Sequence, residues 1–394
     1  MIDNFKEIAA VTGTPAYVFS EEIFRKRAEL VKEAFGERTK ICFSMKANPF
    51  LLPILPQVFS KVEVCSPGEL TICERLDLDM DTVIFSGVNK TPKDVARAID
   101  DGVGILTVES RSHLLSINTC ALEKGHRVRV LIRLTGGSQF GMDEAEVMDI
   151  IRHQHAYKGI DIVGIHYFTG TQKRKPAAIV RELDDLSALI EKVRKETGFT
   201  IHELEYGTGL AVDYFKEDAE SLEKERLAAI APAVRALAEK VKLTVEMGRF
   251  FSASCGFYLT SVADTKINCG IHYAICDGGL HQLKYDGQIQ GMQLPVITHI
   301  RKNHGKKSDA EKWTLCGSLC TTADVLARDV ELESLETGDI LVFHRTGAYS
   351  VMEGMSVFLS RDMPAVYLLL ENGELRRVRR RIETSAVNMP DILR

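Results

Sequence analysis

The sequence lacks Cys-x-x-Cys pairs, an excess of basic residues and long apolar runs. Without a Cys-x-x-Cys pair a zinc site has little support, and we expect no bound metal. A net charge of −5 offers no basic surface, so we expect no nucleic-acid partner. No apolar run approaches the roughly 18 residues that a membrane-spanning helix needs, so we expect no membrane partner.

Features of secreted proteins are also missing. The first seven residues are too polar for a signal peptide. The nine cysteines are odd in number, and Cys42, Cys65 and Cys276 fall in apolar stretches, where buried thiols are common. We therefore expect a reducing compartment, the cytoplasm.

The chain is long enough for two domains. It has 394 residues, of which 45% are hydrophobic and 27% charged, an ordinary composition for a soluble globular protein. A (β/α) barrel of about 250 residues together with a smaller domain fits this length.

From residue 40 the chain alternates between strand-like and helix-like segments. The predicted strands are 40–46, 62–65, 82–86, 104–108, 127–134, 160–168, 203–206 and 242–246. The predicted helices between them include 67–76, 92–99, 111–122, 144–152, 177–195 and 222–241. This alternation predicts an α/β fold, a closed (β/α)8 TIM barrel, with an open doubly wound sheet as the alternative.

After about residue 250 the pattern changes to strands joined by turns. Strands are predicted at 257–262, 273–276, 313–316, 339–344 and 365–370. We expect a β-rich second domain, built like a sandwich or barrel, which an N-terminal strand at 16–19 joins. The predicted division is a barrel at residues 30–255 and a β-rich domain formed by 1–29 and 256–394.

Lys46 stands at the end of the first barrel strand, just before the Asn48-Pro49 break. The apolar run behind it favours a neutral amine, which can condense with an aldehyde. A charged residue that merely caps a strand is the alternative. In a (β/α) barrel the active site lies at the C-terminal ends of the strands, which favours the chemical role.

The other strand ends would bring charged and small residues to the same mouth. They are Cys65-Ser66, Ser86-Gly87, Glu109, Arg133, His166 to Phe168, Gly207-Thr208-Gly209 and Glu246 to Arg249. The glycine-rich turn and Arg249 suit a phosphate; a plain turn and a surface ion pair are the alternatives. Glu246 suits a protonated pyridine nitrogen, with a buried pair to Arg133 as the alternative.

Two turns of the second domain carry further reactive groups. Cys320 can donate a proton if it faces the site, and its alternative is a core cysteine. Tyr349 follows Gly347-Ala348 and can reach a phosphate. Taken alone, each of these groups is more often structural.

Together the segments resemble the fold-type III pyridoxal-phosphate decarboxylases, which include diaminopimelate, ornithine and arginine decarboxylases. The resemblance covers nearly the whole chain and keeps the order of the motifs. The similar motifs are Phe43-Ser44-Met45-Lys46-Ala47-Asn48, Glu63 to Leu70, Glu246-Met247-Gly248-Arg249 (Met247 in place of the family's proline), Cys320 with Asp324, and Gly347-Ala348-Tyr349.

The resemblance implies an amino-acid decarboxylase, a carboxy-lyase, that uses pyridoxal 5'-phosphate. Lys46 would bond to the cofactor aldehyde, Glu246 would bond the pyridine nitrogen, and Cys320 would return a proton after CO2 leaves. A homodimer with shared active sites is implied, because the family's cysteine loop comes from the partner subunit. The other cofactor-binding residues expected are Glu63, His166, Phe168, Thr171, Gly207, Thr208, Gly209, Gly248, Arg249 and Tyr349. The expected substrate-binding residues are Arg133, Thr321, Thr322 and Asp324.

Two departures from the family bear on the site. Where members have a histidine that stacks on the cofactor, this chain has Phe168, and His166 lies two residues earlier on the same strand face. Members that act on diaminopimelate or ornithine place an acidic residue after the cysteine, whereas this chain has Thr321-Thr322. A distal ammonium group would therefore lose its partner in a closed site.

We therefore expect a modified or carrier-linked amino acid as substrate. Both departures resemble a subgroup that decarboxylates carrier-protein-linked glutamate or citryl-diaminopropionate. The alternatives are a free meso-diaminopimelate decarboxylase of lysine biosynthesis, an amino-acid racemase and a non-catalytic pyridoxal-phosphate-binding protein. The cysteine motif favours decarboxylation over racemisation, and non-catalytic proteins of this class lack a second β-domain.

Overall fold

The computed structural model describes residues 4–303 and 309–391, so the start of the polar N-terminal segment, residues 1–3, lies outside the described residues. The described chain divides into two compact units. The barrel unit consists of Arg25–Val212 and Ser221–Phe251. The β-rich unit consists of the described residues up to Phe24, Asp213–Glu220 and the described residues from Ser252 onward.

The strands, numbered in chain order, are β1 Ala16–Ser20, β2 Lys40–Ser44, β3 Phe59–Val64, β4 Val83–Phe85, β5 Ile105–Val108, β6 Val128–Leu134, β7 Ile160–Phe168, β8 Glu203–Gly207, β9 Lys242–Met247, β10 Gly256–Asn268, β11 Ile271–Cys276, β12 Ile297–Ile300, β13 Ala310–Cys316, β14 Val325–Glu333, β15 Ile340–His344, β16 Ala365–Leu369 and β17 Leu375–Arg379.

The α-helices are α1 Phe5–Thr12, α2 Glu21–Phe35, α3 Pro67–Arg75, α4 Pro92–Asp100, α5 Arg111–Glu123, α6 Glu144–Arg152, α7 Pro176–Thr197, α8 Ala219–Ala238, α9 Arg249–Ser252 and α10 Ser385–Asn388. Several begin with a side-chain cap: Ser66 before α3, Thr91 before α4 and Ser110 before α5 each accept a hydrogen bond from a backbone N–H of the first turn. Of the described helices, none is long and apolar enough to cross a bilayer.

The eight strands β2 to β9 form a closed barrel of parallel neighbours. The first strand pairs with the last, and Cys42 lies opposite Glu246 in that register. The predicted closed barrel is therefore confirmed, and the open doubly wound alternative is wrong. Near its centre, the barrel packs small and branched side chains into one cluster, formed by Cys42, Ile84, Ile105 and Leu131.

The barrel interior becomes polar toward the C-terminal ends of the strands. Because side chains alternate along a strand, residues two apart share a face. Ser44 therefore follows Cys42, and Arg133 follows Leu131, on the same face. This alternation brings the charged groups to the mouth of the barrel, where the active sites of such barrels lie.

The β-rich unit is a nine-stranded sheet with the main order β14-β13-β11-β10-β1-β16-β17, while β15 pairs with β10 and β12. The N-terminal strand β1 lies between β10, its antiparallel neighbour, and β16, its parallel neighbour. One face packs a core in which Phe5 and Ile8 of α1 contact strand residues such as Phe257 and Val342.

The structure corrects the prediction around Lys46. The strand predicted at 40–46 ends at Ser44, and Met45–Ala47 form one turn of 3-10 helix. The turn closes where Asn48 donates its backbone N–H to the carbonyl of Met45. Lys46 is therefore carried by a tight turn that leads out of the barrel strand, and not by the strand itself.

Candidate active site

The amine of Lys46 lies between two carboxylates at the mouth of the barrel. Its Nζ donates to Glu63 at 2.8 Å and 3.2 Å, and it lies 3.7 Å from Oε1 of Glu246. The Sγ atom of Cys65 is 3.6 Å away. The Glu63 side chain is almost fully buried whereas that of Lys46 is 38% exposed, so the amine is reachable from the mouth.

Glu246 is held as an anion by hydrogen bonds from two neighbouring strands, β2 and β7, and by the nearby charge of Lys46. Ser44 Oγ donates to Oε1 at 2.6 Å, and Nε2 of His166 lies 3.2 Å from Oε2. Burial alone would raise the pKa of this carboxyl, but the Lys46 charge and the hydrogen bonds from His166 and Ser44 hold it well below its usual value. An anionic carboxylate at neutral pH can pair with a protonated ring nitrogen.

Arg133 does not pair with Glu246, so the alternative drawn from the sequence is wrong. Its Nη1 donates to Oε1 of Glu109 at 2.6 Å, and both side chains are buried. Oε2 of Glu109 accepts the backbone N–H of Gly141 at 3.0 Å, and the guanidinium lies 4.6 Å from the centre of the Phe140 ring. Glu109 therefore links Arg133 of β6 to the loop that follows this strand. A substrate role for Arg133 stays a prediction.

His166 and Phe168 occupy successive positions on one face of β7. His166 is buried against Glu246, and its Nδ1 has no hydrogen-bond partner within the described residues. Phe168 lies nearer the mouth and packs on Gly207, where an added Cβ would come within 2.5 Å of the phenyl ring. The Phe168 ring is therefore the aromatic ring nearer the strand end, and His166 lies deeper, against the Glu246 carboxylate.

The glycine-rich turn after β8 is packed too closely for larger residues. Gly209 has φ +60°, and an added Cβ would lie 1.9 Å from the carbonyl oxygen of Gly170. Thr208 is buried, and its Oγ1 accepts the N–H of Leu210 at 3.2 Å. Thr171, on the loop after β7, is exposed.

A second tight glycine follows β9. An added Cβ on Gly248 would lie 2.7 Å from the Cβ of Ala47, in the turn that carries Lys46. Arg249 follows directly and begins α9. The close approach fixes the end of β9, with Glu246, beside the Lys46 turn.

These groups fit pyridoxal phosphate. The site offers a reachable amine, an anionic carboxylate beside it and glycine turns that bring backbone N–H groups close to the mouth, which suits a phosphate. Among the residues that the structure describes, no cluster of His, Cys, Asp or Glu could hold a metal ion.

The remaining predicted residues lie in the β-rich unit, on the connection between β13 and β14 and after β15. Cys320 and Thr322 are exposed. Oγ1 of Thr321 accepts the N–H of Ala323 at 3.3 Å. Tyr349 has φ +65°, and its carbonyl accepts the N–H of Met352 at 2.8 Å.

Asp324 is used inside this unit. It is buried, and its two oxygens accept the N–H groups of Leu280 and Leu319, each at 2.7 Å. Burial raises the pKa of this carboxyl in spite of those bonds. Asp324 therefore holds the loop that carries Cys320. These contacts give no support to its predicted contact with substrate.

Two residues near Lys46 and Glu246, namely Ser44 and Glu205, were not foreseen at the mouth, and Cys65 was expected there without an assigned role. Ser44 bonds Glu246, Cys65 approaches Lys46, and Glu205 is a fully buried carboxyl beside Glu246 and Glu63. The alternation of β8, with Glu203, Glu205 and Gly207 on one face, was the available signal for Glu205. Cys65 and Ser44 lie inside motifs of the family, and neither side chain gave a separate signal of a role at the site.

Comparison with known proteins agrees with this geometry. Residues 21–253 match the family model described as pyridoxal-dependent decarboxylase, pyridoxal binding domain. A diaminopimelate decarboxylase of Aquifex aeolicus is 29% identical over 96% of this chain and 91% of its own length. An L-glutamyl-(BtrI acyl-carrier protein) decarboxylase of Niallia circulans is 27% identical over 95% of this chain and 94% of its own.

Among solved structures, a diaminopimelate decarboxylase from M. jannaschii superposes with a TM-score of 0.85 at 26% identity, and the alignment covers 98% of this chain and 94% of that one. The similarity extends over both units, because it spans nearly the whole of each chain.

Proposed function

Because the chain belongs to the pyridoxal-dependent decarboxylases, we propose that it removes the α-carboxylate of an amino acid or amino-acid conjugate, with Lys46 as the residue that bonds the cofactor. The observation that carries this assignment is the Lys46 amine beside Glu63 and Glu246 at the barrel mouth. Bound pyridoxal phosphate supplies the electron sink that the departure of CO2 requires.

The residues of the chain would divide the remaining work. Glu246, to which Ser44 and His166 bond, would accept a hydrogen bond from the protonated ring nitrogen of the bound cofactor. Phe168 would pack against the ring. Gly207-Thr208-Gly209 would hold the phosphate, together with Thr171, Arg249, Gly248 and Tyr349. Cys320 would return a proton to the α-carbon.

We also propose a homodimer whose active sites are shared. The support is the family resemblance, because the resembling enzymes take the loop that carries the cysteine from the partner subunit. A cytoplasmic location is proposed from the nine cysteines, all of which are free thiols in the structure.

Two substrates are supported by different observations. Several relatives are named diaminopimelate decarboxylases, so free diaminopimelate fits the comparisons at least as well as any conjugate. Thr321-Thr322 favours a substrate without a distal ammonium group, since threonine hydroxyls cannot neutralise that charge. The relative from Niallia circulans, named for glutamate on a carrier protein, supports the same choice.

The deciding experiment measures CO2 release by purified protein loaded with pyridoxal phosphate. The panel contains meso-diaminopimelate, ornithine, lysine, arginine, glutamate and the carrier-linked or citryl-linked amino acids. Release from a conjugate alone supports the modified substrate, and rapid release from diaminopimelate supports the free amino acid. Exchange of the α-hydrogen without CO2 release would point to racemisation and contradict the proposal.

Lys46→Ala tests the assigned chemistry. We expect turnover to fall about a thousandfold or more, because the variant cannot form the covalent link to the cofactor. The absorption band of the lysine-linked cofactor should disappear as well. Lys158→Ala, at an exposed lysine of the barrel unit, is the matched control and should keep both signals. Full turnover of Lys46→Ala in cofactor-supplemented buffer would refute the mechanism.

A further inference from the structure

The loop after β7 and the glycine turn after β8 are bonded directly to each other. The N–H of Lys173 donates to the carbonyl of Gly209 at 2.8 Å, and the N–H of Ala211 donates to the carbonyl of Lys173 at 3.2 Å. These loops carry Thr171 and Gly207-Thr208-Gly209, the residues to which the proposed function assigns the phosphate. Their spacing therefore sets the width of the phosphate site.

Gln172 uses both ends of its side-chain amide in this connection. Its Oε1 accepts the N–H of Val212 at 2.8 Å, and its Nε2 donates to the carbonyl of Val212 at 3.4 Å. One side chain thus bonds both backbone groups of a residue that lies three positions after Gly209.

The backbone conformation at Gln172 does not favour glutamine. Its φ is +57°, in the left-handed region that glycine and asparagine adopt most readily. A residue with a long side chain costs conformational energy here. The two bonds to Val212 offset that cost.

Glu182 of α7 also connects the same two loops. The carboxylate of Glu182 accepts hydrogen bonds from Oγ1 of Thr169 at 2.7 Å, from Nζ of Lys173 at 2.7 Å and from the hydroxyl of Tyr206 at 2.6 Å. Thr169 and Lys173 flank Gln172 in the first loop, and Tyr206 directly precedes Gly207. Glu182 therefore holds the first loop to Tyr206 at the end of β8, and Gln172 holds the same loop to Val212, after the glycine turn.

We propose that Gln172 is a positioning residue for the cofactor phosphate, because it locks the glycine turn after β8 at the spacing that the phosphate needs. The inference rests on the proposed function. Gln172 need not touch the phosphate: its effect passes through Val212 and the turn, which packs so closely on Gly170 that Gly209 has no room for a Cβ.

The test compares two ligands that differ only in the phosphate, pyridoxal phosphate and pyridoxal, on the full-length protein. Gln172→Asn suits the left-handed backbone but is too short to make both bonds. We expect its Kd for pyridoxal phosphate to rise about tenfold, as the loss of two neutral hydrogen bonds allows, while its Kd for pyridoxal changes less than about twofold. Gln172→Gly, which also suits the backbone, should give the same split.

Gln154→Ala, at another glutamine of the barrel unit, serves as the control and should leave both Kd values unchanged. Equal losses for the two ligands would show a general structural role and overturn the inference, as would unchanged binding of both. If the wild-type protein binds pyridoxal phosphate no better than pyridoxal, the proposed phosphate site fails first and the inference falls with it. If the wild-type protein prefers pyridoxal phosphate to pyridoxal and the Gln172 variants bind both ligands as the wild type does, only this inference is overturned.

Discussion

Glu205 is a carboxyl group of the barrel unit that lies in an unfavourable environment for its charged form. It is 1% exposed, and neither of its oxygens has a hydrogen-bond partner within the described residues. Burial, then the negative charges of Glu246 and Glu63, raise its pKa well above the usual value, and Lys61 and Lys46 oppose this only in part. The folded environment of Glu205 therefore favours the neutral, protonated carboxyl over the carboxylate.

The raised pKa makes stability depend on pH in a definite direction. In the unfolded chain this carboxyl ionises near its ordinary pKa of about 4.3. Its contribution to stability is thus fully present below that pH and is lost as the pH rises toward the folded-state pKa. Glu205→Gln, which stays neutral, should therefore gain in Tm relative to the wild type between pH 5 and pH 8, by roughly 1 °C for each kcal/mol of stability in a chain of this length.

Thermal melts of both proteins at the two pH values measure this difference. Glu123→Gln, at an exposed glutamate of α5, is the control and should follow the wild type at both pH values. A Tm difference between Glu205→Gln and the wild type that does not change with pH would mean that Glu205 is ionised in the folded protein.

Which residues gather at the site was easier to predict than how they pair. The strand ends identified Lys46, Glu246, Arg133 and His166 from position alone, because parallel strands of a barrel end at one mouth. The choice of Glu109 rather than Glu246 as the partner of Arg133 depends on which carboxylate the folded strands bring within 2.6 Å. That distance comes from strand register and side-chain packing, which linear spacing does not contain.

At the scale of secondary-structure elements, buried strands and capped helices can be recognised from the sequence. Strand β7 and helix α6 have the predicted bounds, since the strand is a long, mostly apolar run and the helix follows a clear cap at Asp143. The hairpin signal at residues 371–374 predicts a solvated strand end at 378–381, whereas strand β17 lies slightly earlier, at Leu375–Arg379, because its largely charged and incompletely buried residues mark its bounds poorly. The helix α1 was missed, and only its packing on the core of the β-rich unit explains its apolar face.

The N-terminus of α4 offers a direct measure of one cap. Thr91 and Asp94 form a capping box, in which each side chain accepts the backbone N–H of the other at 3.2 Å and 3.0 Å. Thr91→Ala should lower the free energy of unfolding by about 1 kcal/mol, because the first turn loses the acceptor for its N–H.

Thr91→Ser retains the hydroxyl and is the matched variant, expected to keep most of the stability. Denaturant titration gives the free energies, and amide exchange in the first turn of α4 localises the effect. An alanine variant as stable as the serine variant, with unchanged exchange, would contradict the role of the cap.

At the scale of the whole molecule, the assigned chemistry is divided between two units of one chain. Lys46 belongs to the barrel unit and Cys320 to the β-rich unit. In the proposed homodimer each active site takes Lys46 from one subunit and Cys320 from the other. Lys46→Ala and Cys320→Ala should therefore each be strongly impaired as pure proteins, because every site lacks one of the two groups.

A mixture of the two variants distinguishes shared from separate sites. After subunit exchange half of the dimers are mixed at random, and in each mixed dimer one of the two sites contains both intact residues. Decarboxylation should then recover to about a quarter of the wild-type rate, since C2 symmetry gives every dimer two equivalent sites. The unmixed variants and a mixture held below the concentration at which dimers form are the controls. No recovery after complete exchange, confirmed with tagged subunits, would require Lys46 and Cys320 of the same chain to act together.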